Sequence, residues 1–287
     1  MIELPEAYLL AEQINKTLVG NTIRRAVANT HPHGFAWYTG DPATYNERLA
    51  GKKVNKAQAG MSGLICGNKV RITCDDKLLA ISTPIKYHAP GKVLPKSHQL
   101  LLEFDDSSHM SCTVQMWGGM LCLDINEDGS LGGFTCNNCV SCGKDRINPL
   151  MDEFDEAYFD KLWQKTKPKL SIKAFLATEQ RIPGLGNGVL QDILFVAGLH
   201  PKRRLESINQ SDRDKLFASI KSTLKDMLIQ GGRDTEKDLF GCSGGYKTIL
   251  SKSTLPDPCP GCGGVIKREA FLGGNIYYCP VCQPLVV

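Results

Sequence analysis

The tail CPGCGGVIKREAFLGGNIYYCPVCQ constrains this chain more than any other stretch. Cys259 and Cys262 are separated by two residues, as are Cys279 and Cys282, and sixteen residues lie between the pairs. Two such knuckles can wrap four thiolates tetrahedrally around one Zn²⁺, and a hairpin fits the interval. Four thiolates leave no open coordination position for water. The ion is therefore expected to be structural, one per chain, holding a tail too small for its own core. The run CNNCVSC, with Cys136, Cys139 and Cys142, is a weaker pattern. It could take a second metal with Cys122, or carry incidental loop thiols. Cys66, Cys74, Cys112, Cys122 and Cys242 lie mostly in strand-like runs, where a cysteine behaves as a small buried hydrophobe.

Twelve cysteines clustered in CxxC pairs favour metal ligation in a reducing cytoplasm over disulfides. Acidic Glu3 and Glu6 stand where a secretory signal needs positive charge, and no apolar run is long enough to span a bilayer. At 287 residues the chain suggests two domains with a small third, and 42% hydrophobic residues suffice for ordinary cores. A net charge of +4 permits a polyanionic partner without demanding one.

The opening MIELPEAYLL reads as a helix start. Pro5 suits a first helical turn, Glu6 suits the helix dipole, and Ala7, Leu9, Leu10, Ile14 and Leu18 recur at helical spacing up to Gly20. Glu3 is surplus to that reading, although a carboxylate beside a free amine can serve a nucleophile as its proton shuttle. From there to about residue 130 the runs KVRIT, LLAIST, QLLLEF and MSCTVQMW predict strands, separated by turns such as CDDK and FDDSS. Helical periodicity takes over in DEFDEAYFDKLWQKT, SIKAFLATEQ, GVLQDILFVAGL and SDRDKLFASIKSTLKDMLIQ, the last stopped by Gly231 and Gly232. The expected organisation is an N-terminal β-sandwich domain over 1–135, a linker over 136–150, a helical domain over 151–244 and a finger over 245–287. The fold class is α+β, multidomain. Between two of the helices, RIPGLGN makes a tight turn that ends in Asn187, either a helix cap or an amide placed for a phosphate.

MIELPE, IPGLGN followed by AGLHP, GGRDTEKDLFGCSGGYK and the CPGC…CPVCQ finger occur in order along nearly the whole chain. Together they resemble the formamidopyrimidine-DNA glycosylase / endonuclease VIII family. The resemblance implies a leading helix and β-sandwich, a helix–two-turn–helix, a zinc finger, and DNA bound in a cleft between the halves. It implies a monomeric enzyme that excises damaged bases from double-stranded DNA and cuts the abasic strand, associated with the nucleoid when bound. The amine at position 2 attacks C1′ and forms a Schiff base, with Glu3 as acid/base and Glu6 as support. Lys69 matches a β-strand lysine of the family, with an ordinary solvated lysine as the alternative. Asn187 would bind phosphate, and Tyr246 or its neighbours would border the flipped base.

The chain departs from that pattern in places. Position 2 is Ile2 rather than proline, so Met1 can persist and displace the amine by about 3.8 Å. Misplacement by about 1 Å can cost about a hundredfold in rate. Gly274 stands where the finger usually carries a basic residue, with Lys267 and Arg268 nearby but out of register. The usual Arg-Arg-Phe-Gly wedge reads QMWG, so Trp117 is either the wedge or a core aromatic, and Gln115 can fill the vacated space. Two rival readings follow: a degenerate protein that recognises abasic or damaged sites without cleavage, and, more distantly, a zinc-ribbon interaction protein.

Overall fold

The first helix, α1 (Leu4–Thr17), begins where the reading of MIELPE places it. Glu3 is its extended N-cap, Pro5 sits in the first turn, and Ala7, Leu10, Ala11 and Ile14 form its buried stripe. In the computed structural model, which describes residues 2–60, 69–132, 147–178 and 180–286, this stripe enters a core shared with two sheets. Met1, Cys66, Cys136, Cys139, Cys142 and most of the expected linker lie outside the described residues.

After α1 come β1 (Ile23–Ala28), β2 (Ala36–Trp37), α2 (Tyr45–Leu49), β3 (Val54–Gly60), β4 (Lys69–Cys74), β5 (Lys77–Ile81) and β6 (Ile85–His88). They are followed by β7 (Leu100–Phe104), β8 (His109–Cys112), β9 (Gly118–Ile125) and β10 (Leu131–Gly132). One sheet has the order β1-β7-β8-β6; the other runs β10-β9-β5-β4-β3, with β2 added parallel to β9. Alternation assigns the faces: Val70, Ile72, Leu79, Ile81, Met120 and Cys122 join the main core, while Leu78, Ala80, Leu121 and Leu123 form a second cluster behind the sheet. Burial on both faces is why LLAI reads as an unbroken apolar run. The run MSCTVQMW is not one strand. Only its first three residues belong to β8; residues 113–117 lead to β9, and 115–117 are exposed.

The helical part contains α3 (Glu156–Gln164), α4 (Ile172–Ala177), α5 (Val189–Val196) and α6 (Gln210–Ile229), and the tail contains the hairpin β11 (Lys267–Phe271) and β12 (Gly274–Tyr278). Helix α4 stops at Ala177, short of the expected Gln180, which instead adopts a left-handed φ of 50°. The Gln180 side chain closes the turn, accepting from Gly184 N at 3.0 Å and donating to Leu185 O at 3.0 Å. The amide of Gln191 on α5 seats the finger: it donates to Asn275 O at 3.1 Å and accepts from Tyr277 N at 3.1 Å.

The chain divides into unit 1 (Met1–Arg146 and Glu236–Gly244) and unit 2 (Ile147–Thr235 and Gly245–Val287). The helical segment and the finger, read from sequence as separate domains, share unit 2, and residues 236–244 leave the expected helical domain for unit 1. Their anchor is Gln13 on α1, which donates to Asp238 Oδ2 at 2.9 Å and accepts from Leu239 N at 2.9 Å. Tyr87 N adds a bond to Leu239 O at 2.8 Å, and Leu239 is fully buried.

Unit 2 carries a buried carboxylate in its middle. Asp192 on α5 accepts from Ile249 N at 2.9 Å and Leu250 N at 2.8 Å, and also bonds the Tyr246 hydroxyl. Burial pushes its carboxyl up to about 6, against the lowering effect of those donors and of Arg233. Removing Asp192 strands three buried donors, so Asp192→Ala is expected to destabilise unit 2 by about 3 kcal/mol in urea unfolding. Because the folded-state value lies above the unfolded one, the carboxyl stabilises most below about pH 4. The gap between the two proteins should therefore narrow as pH rises from about 4 through about 6.

Candidate active site

The N-terminal residues meet the second sheet of unit 1 at one end of its central ladder. Ile2 N donates to Ser82 O at 3.4 Å, directly after β5. On the neighbouring strand Val70 pairs with Ile81, so Lys69 stands one rung further on, across from Ser82. Helix α1 packs across β3 and β4, and its first turn brings Glu3 and Glu6 to the same part of unit 1. Ile2, Glu3, Glu6 and Lys69 are all buried, and the side chain of Ile2 belongs to the main core. The solvated-lysine alternative for Lys69 does not fit this placement. Carboxylates at a helix N-terminus gain from its dipole, so α1 is a suitable carrier for two acids.

Ser82 extends the assembly to a third strand. Its N donates to Gly119 O at 3.0 Å and its Oγ accepts from Gly119 N at 2.9 Å. The exposed turn carrying Gln115 and Trp117 therefore ends at the same ladder end as Ile2. Trp117 is 39% exposed, which removes the core-aromatic reading. Ser82 was not visible as a site residue in the sequence, since a serine closing an apolar strand carries no signal of what it bonds.

Asn187 lies immediately before the N-cap Gly188 of α5. Its Nδ2 donates to Asn275 O at 2.9 Å, which leaves a second Nδ2 hydrogen for an anion, while its buried Oδ1 has no hydrogen-bond partner. Gly274 packs directly on this amide: a Cβ at 274 would come within 3.3 Å of Asn187 Cγ and Oδ1. Arg268, out of register in sequence, is held across the hairpin by Nε donating to Asn275 Oδ1 at 3.1 Å. A guanidinium is thus fixed to the same residue that holds Asn187. Tyr246 is turned into unit 2, buried and bonded to Asp192, which pushes its phenol well above the usual range. That placement gives it a scaffolding part and withdraws it from bordering a base.

Cys259, Cys262, Cys279 and Cys282 bring their sulfurs within 4.8 Å of one another. Two of the separations, Cys259 to Cys282 and Cys262 to Cys279, are 3.7 and 3.5 Å. Tetrahedral zinc with Zn–S bonds of about 2.3 Å spaces its sulfurs about 3.8 Å apart, so the four thiolates fit a structural zinc site. Gly261 and Gly264 permit the wrap, since a Cβ at either would press on a ligand sulfur at 3.2 or 3.3 Å.

The formamidopyrimidine-DNA glycosylase H2TH domain family matches residues 146–238. Formamidopyrimidine-DNA glycosylase of Pasteurella multocida is 34% identical over 140 residues, 47% of this chain, and that match spans only half the length of the relative. The enzyme of the same name from Mycobacterium avium is 24% identical over 294 residues, covering 99% of each chain. Among solved structures, the complex of Lactococcus lactis Fpg with abasic-site DNA superposes with a TM-score of 0.76 at 22% identity, over 98% of this chain and 99% of that one. This likeness establishes a mixed α+β multidomain fold of that type. The chain thus carries a formamidopyrimidine-DNA glycosylase H2TH domain over residues 146–238 and is similar to enzymes of that name along nearly its whole length.

The ladder end tolerates little change at Gly118, where a Cβ would meet Thr83 Cγ2 at 2.4 Å. Gly118→Ala is expected to cost about 1–3 kcal/mol, through overpacking, in chemical denaturation of the whole chain. Gly129→Ala, at a position open around its Cβ, supplies a comparison that carries only the strain of its left-handed φ of 78°.

Proposed function

We propose that this protein is a DNA glycosylase with abasic-site lyase activity in base-excision repair, acting on damaged double-stranded DNA as a monomer. The observation that carries the reading is Ile2 held at Ser82 with Lys69 opposite in register, and Glu3 and Glu6 buried at the adjoining helix start. An α-amine has an ordinary pKa near 7.7–8.0, so a fraction is an unprotonated nucleophile at neutral pH. It attacks C1′ of the damaged nucleotide, the base departs with a proton, and the amine–carbon bond becomes a protonated imine. Glu3 carries protons as the sugar ring opens and then removes the C2′ proton, so that the 3′ phosphate leaves by elimination. Glu6 supports the first turn that aims Glu3. Lys69 lends positive charge beside the developing alkoxide. Asn187 and Arg268 hold phosphate, and Trp117 with Gln115 occupies the space left by the extruded nucleotide. One structural zinc on Cys259, Cys262, Cys279 and Cys282 holds the finger folded. Such an enzyme works in the cytoplasm at the nucleoid, and no described helix is long and apolar enough to cross a membrane.

One observation favours the rival reading of a binder without cleavage. Ile2 is sunk in the core, and its nitrogen, a peptide amide while Met1 is attached, is engaged with Ser82 O. Incubation with abasic duplex and borohydride separates the two. The enzyme reading expects a covalent adduct and strand cleavage, with both slowed about a hundredfold or more in Glu3→Gln while binding persists. Tight binding with neither adduct nor cleavage in the unaltered protein establishes the binder instead.

A further inference from the structure

A second tryptophan stands beside Trp117. Trp37 on β2 is 48% exposed, and its ring lies 5.5 Å from that of Trp117 at 46°, centroid to centroid. Phe35 is 62% exposed and Met116 is 74% exposed, so the two indoles sit in an apolar patch open to solvent. Two large aromatics left this far out of a core that accepts Tyr45 and Phe104 completely are not there to fill space.

The patch is rigidly built. Strand β2 runs parallel to the start of β9, pairing Ala36 with Gly118 and Trp37 with Gly119, and Gly118 N donates to Phe35 O at 3.0 Å. A single buried side chain braces both carriers from behind. Gln99 donates through Nε2 to His31 O at 2.8 Å on the segment leading to Trp37, and accepts through Oε1 from Val114 N at 2.7 Å on the segment leading to Trp117. Tyr38 just beyond Trp37 donates to the Gln99 carbonyl at 2.9 Å. Gly119 also carries the two bonds to Ser82, so the aromatic pair is continuous with the ladder end that gathers Ile2 and Lys69.

We propose that Trp37 and Trp117 form a two-ring stacking platform for an unstacked nucleobase, and that Trp37 gives the protein a preference for DNA with an unpaired base over fully paired duplex. The inference rests on the DNA reading above and adds a residue that neither the motifs nor the wedge turn identified. Every base presents a π-face, and rigid exposed aromatics bind bases without regard to sequence. The 46° tilt leaves no parallel slot between the rings, which would need about 7 Å for two stacking distances of about 3.4 Å. A base therefore lies on an outer face of one ring while the other supports it from the side. A base within a continuous stack has both faces covered and gains nothing from the platform.

The test uses Trp163→Phe protein, whose remaining tryptophans are the pair; Trp163 lies in the aromatic cluster of unit 2 with Phe159 and Phe175. It is titrated with single-stranded oligothymidylate and with a fully paired hairpin of equal length. The platform predicts fluorescence quenching by the single strand, and affinity for it lowered about 5- to 100-fold in Trp37→Ala. Trp37→Phe, with a smaller π-face, should bind within a few-fold of the parent, and Trp37→Leu, apolar but without one, should fall with the alanine variant. Hairpin affinity should change little. Binding of the single strand that is unchanged in Trp37→Ala, or equal in the Leu and Phe variants, overturns the platform. So does self-association abolished by Trp37→Ala, which would make the patch a contact between copies. If abasic duplex is still bound in those cases, the DNA reading stands alone; if the parent binds no DNA, both fall.

Discussion

The arrangement of unit 1 depends on one serine at the end of one strand. Ser82 spends its backbone carbonyl on Ile2 N and its N–H and hydroxyl on the two polar groups of Gly119. Two parts of the chain that are far apart in sequence are thereby fixed at one place, the N-terminal segment with Glu3 and the turn that presents Trp117, beside the strand end with Lys69. The net worth of each hydrogen bond is about 1 kcal/mol, too little to hold a fold, yet their geometry decides where these segments meet. Gly118 belongs to the same constraint, since the close approach of Thr83 leaves no room for a side chain there.

The departures from the family pattern acquire physical partners. Gly274 is packed against Asn187 with almost no space for a Cβ, and the cation absent at 274 has a counterpart in Arg268, held through Asn275. Arg268 and Asn187 are thereby joined to the same residue, Asn275. Ile2 is matched to its surroundings in a different sense: its side chain is buried in the main core of unit 1.

Features whose partners are near in sequence, or whose spacing is itself the chemistry, were legible. The two CxxC knuckles, the start of α1 and the start of α5 all belong to this kind. Features whose partners are remote were not. Gln13 on α1 gives no sign that it binds Asp238, 225 residues away, and that pair carries residues 236–244 into unit 1. Gln99 looks like the first residue of QLLLEF, and its bracing of two aromatic segments depends on backbone carbonyl and amide groups that have no sequence signature. Trp37 and Tyr246 show the same limit in opposite directions: exposure of an aromatic ring depends on what packs over it, and only the fold supplies that.

The central claim is that the Ser82 ladder end presents the reacting amine. Borohydride-trapped protein on abasic DNA can be digested and the modified peptide identified by mass spectrometry. The account predicts the adduct on the N-terminal peptide containing Glu3, at whichever α-amine the mature chain exposes. An adduct on Lys69, or on a lysine of unit 2, would contradict it.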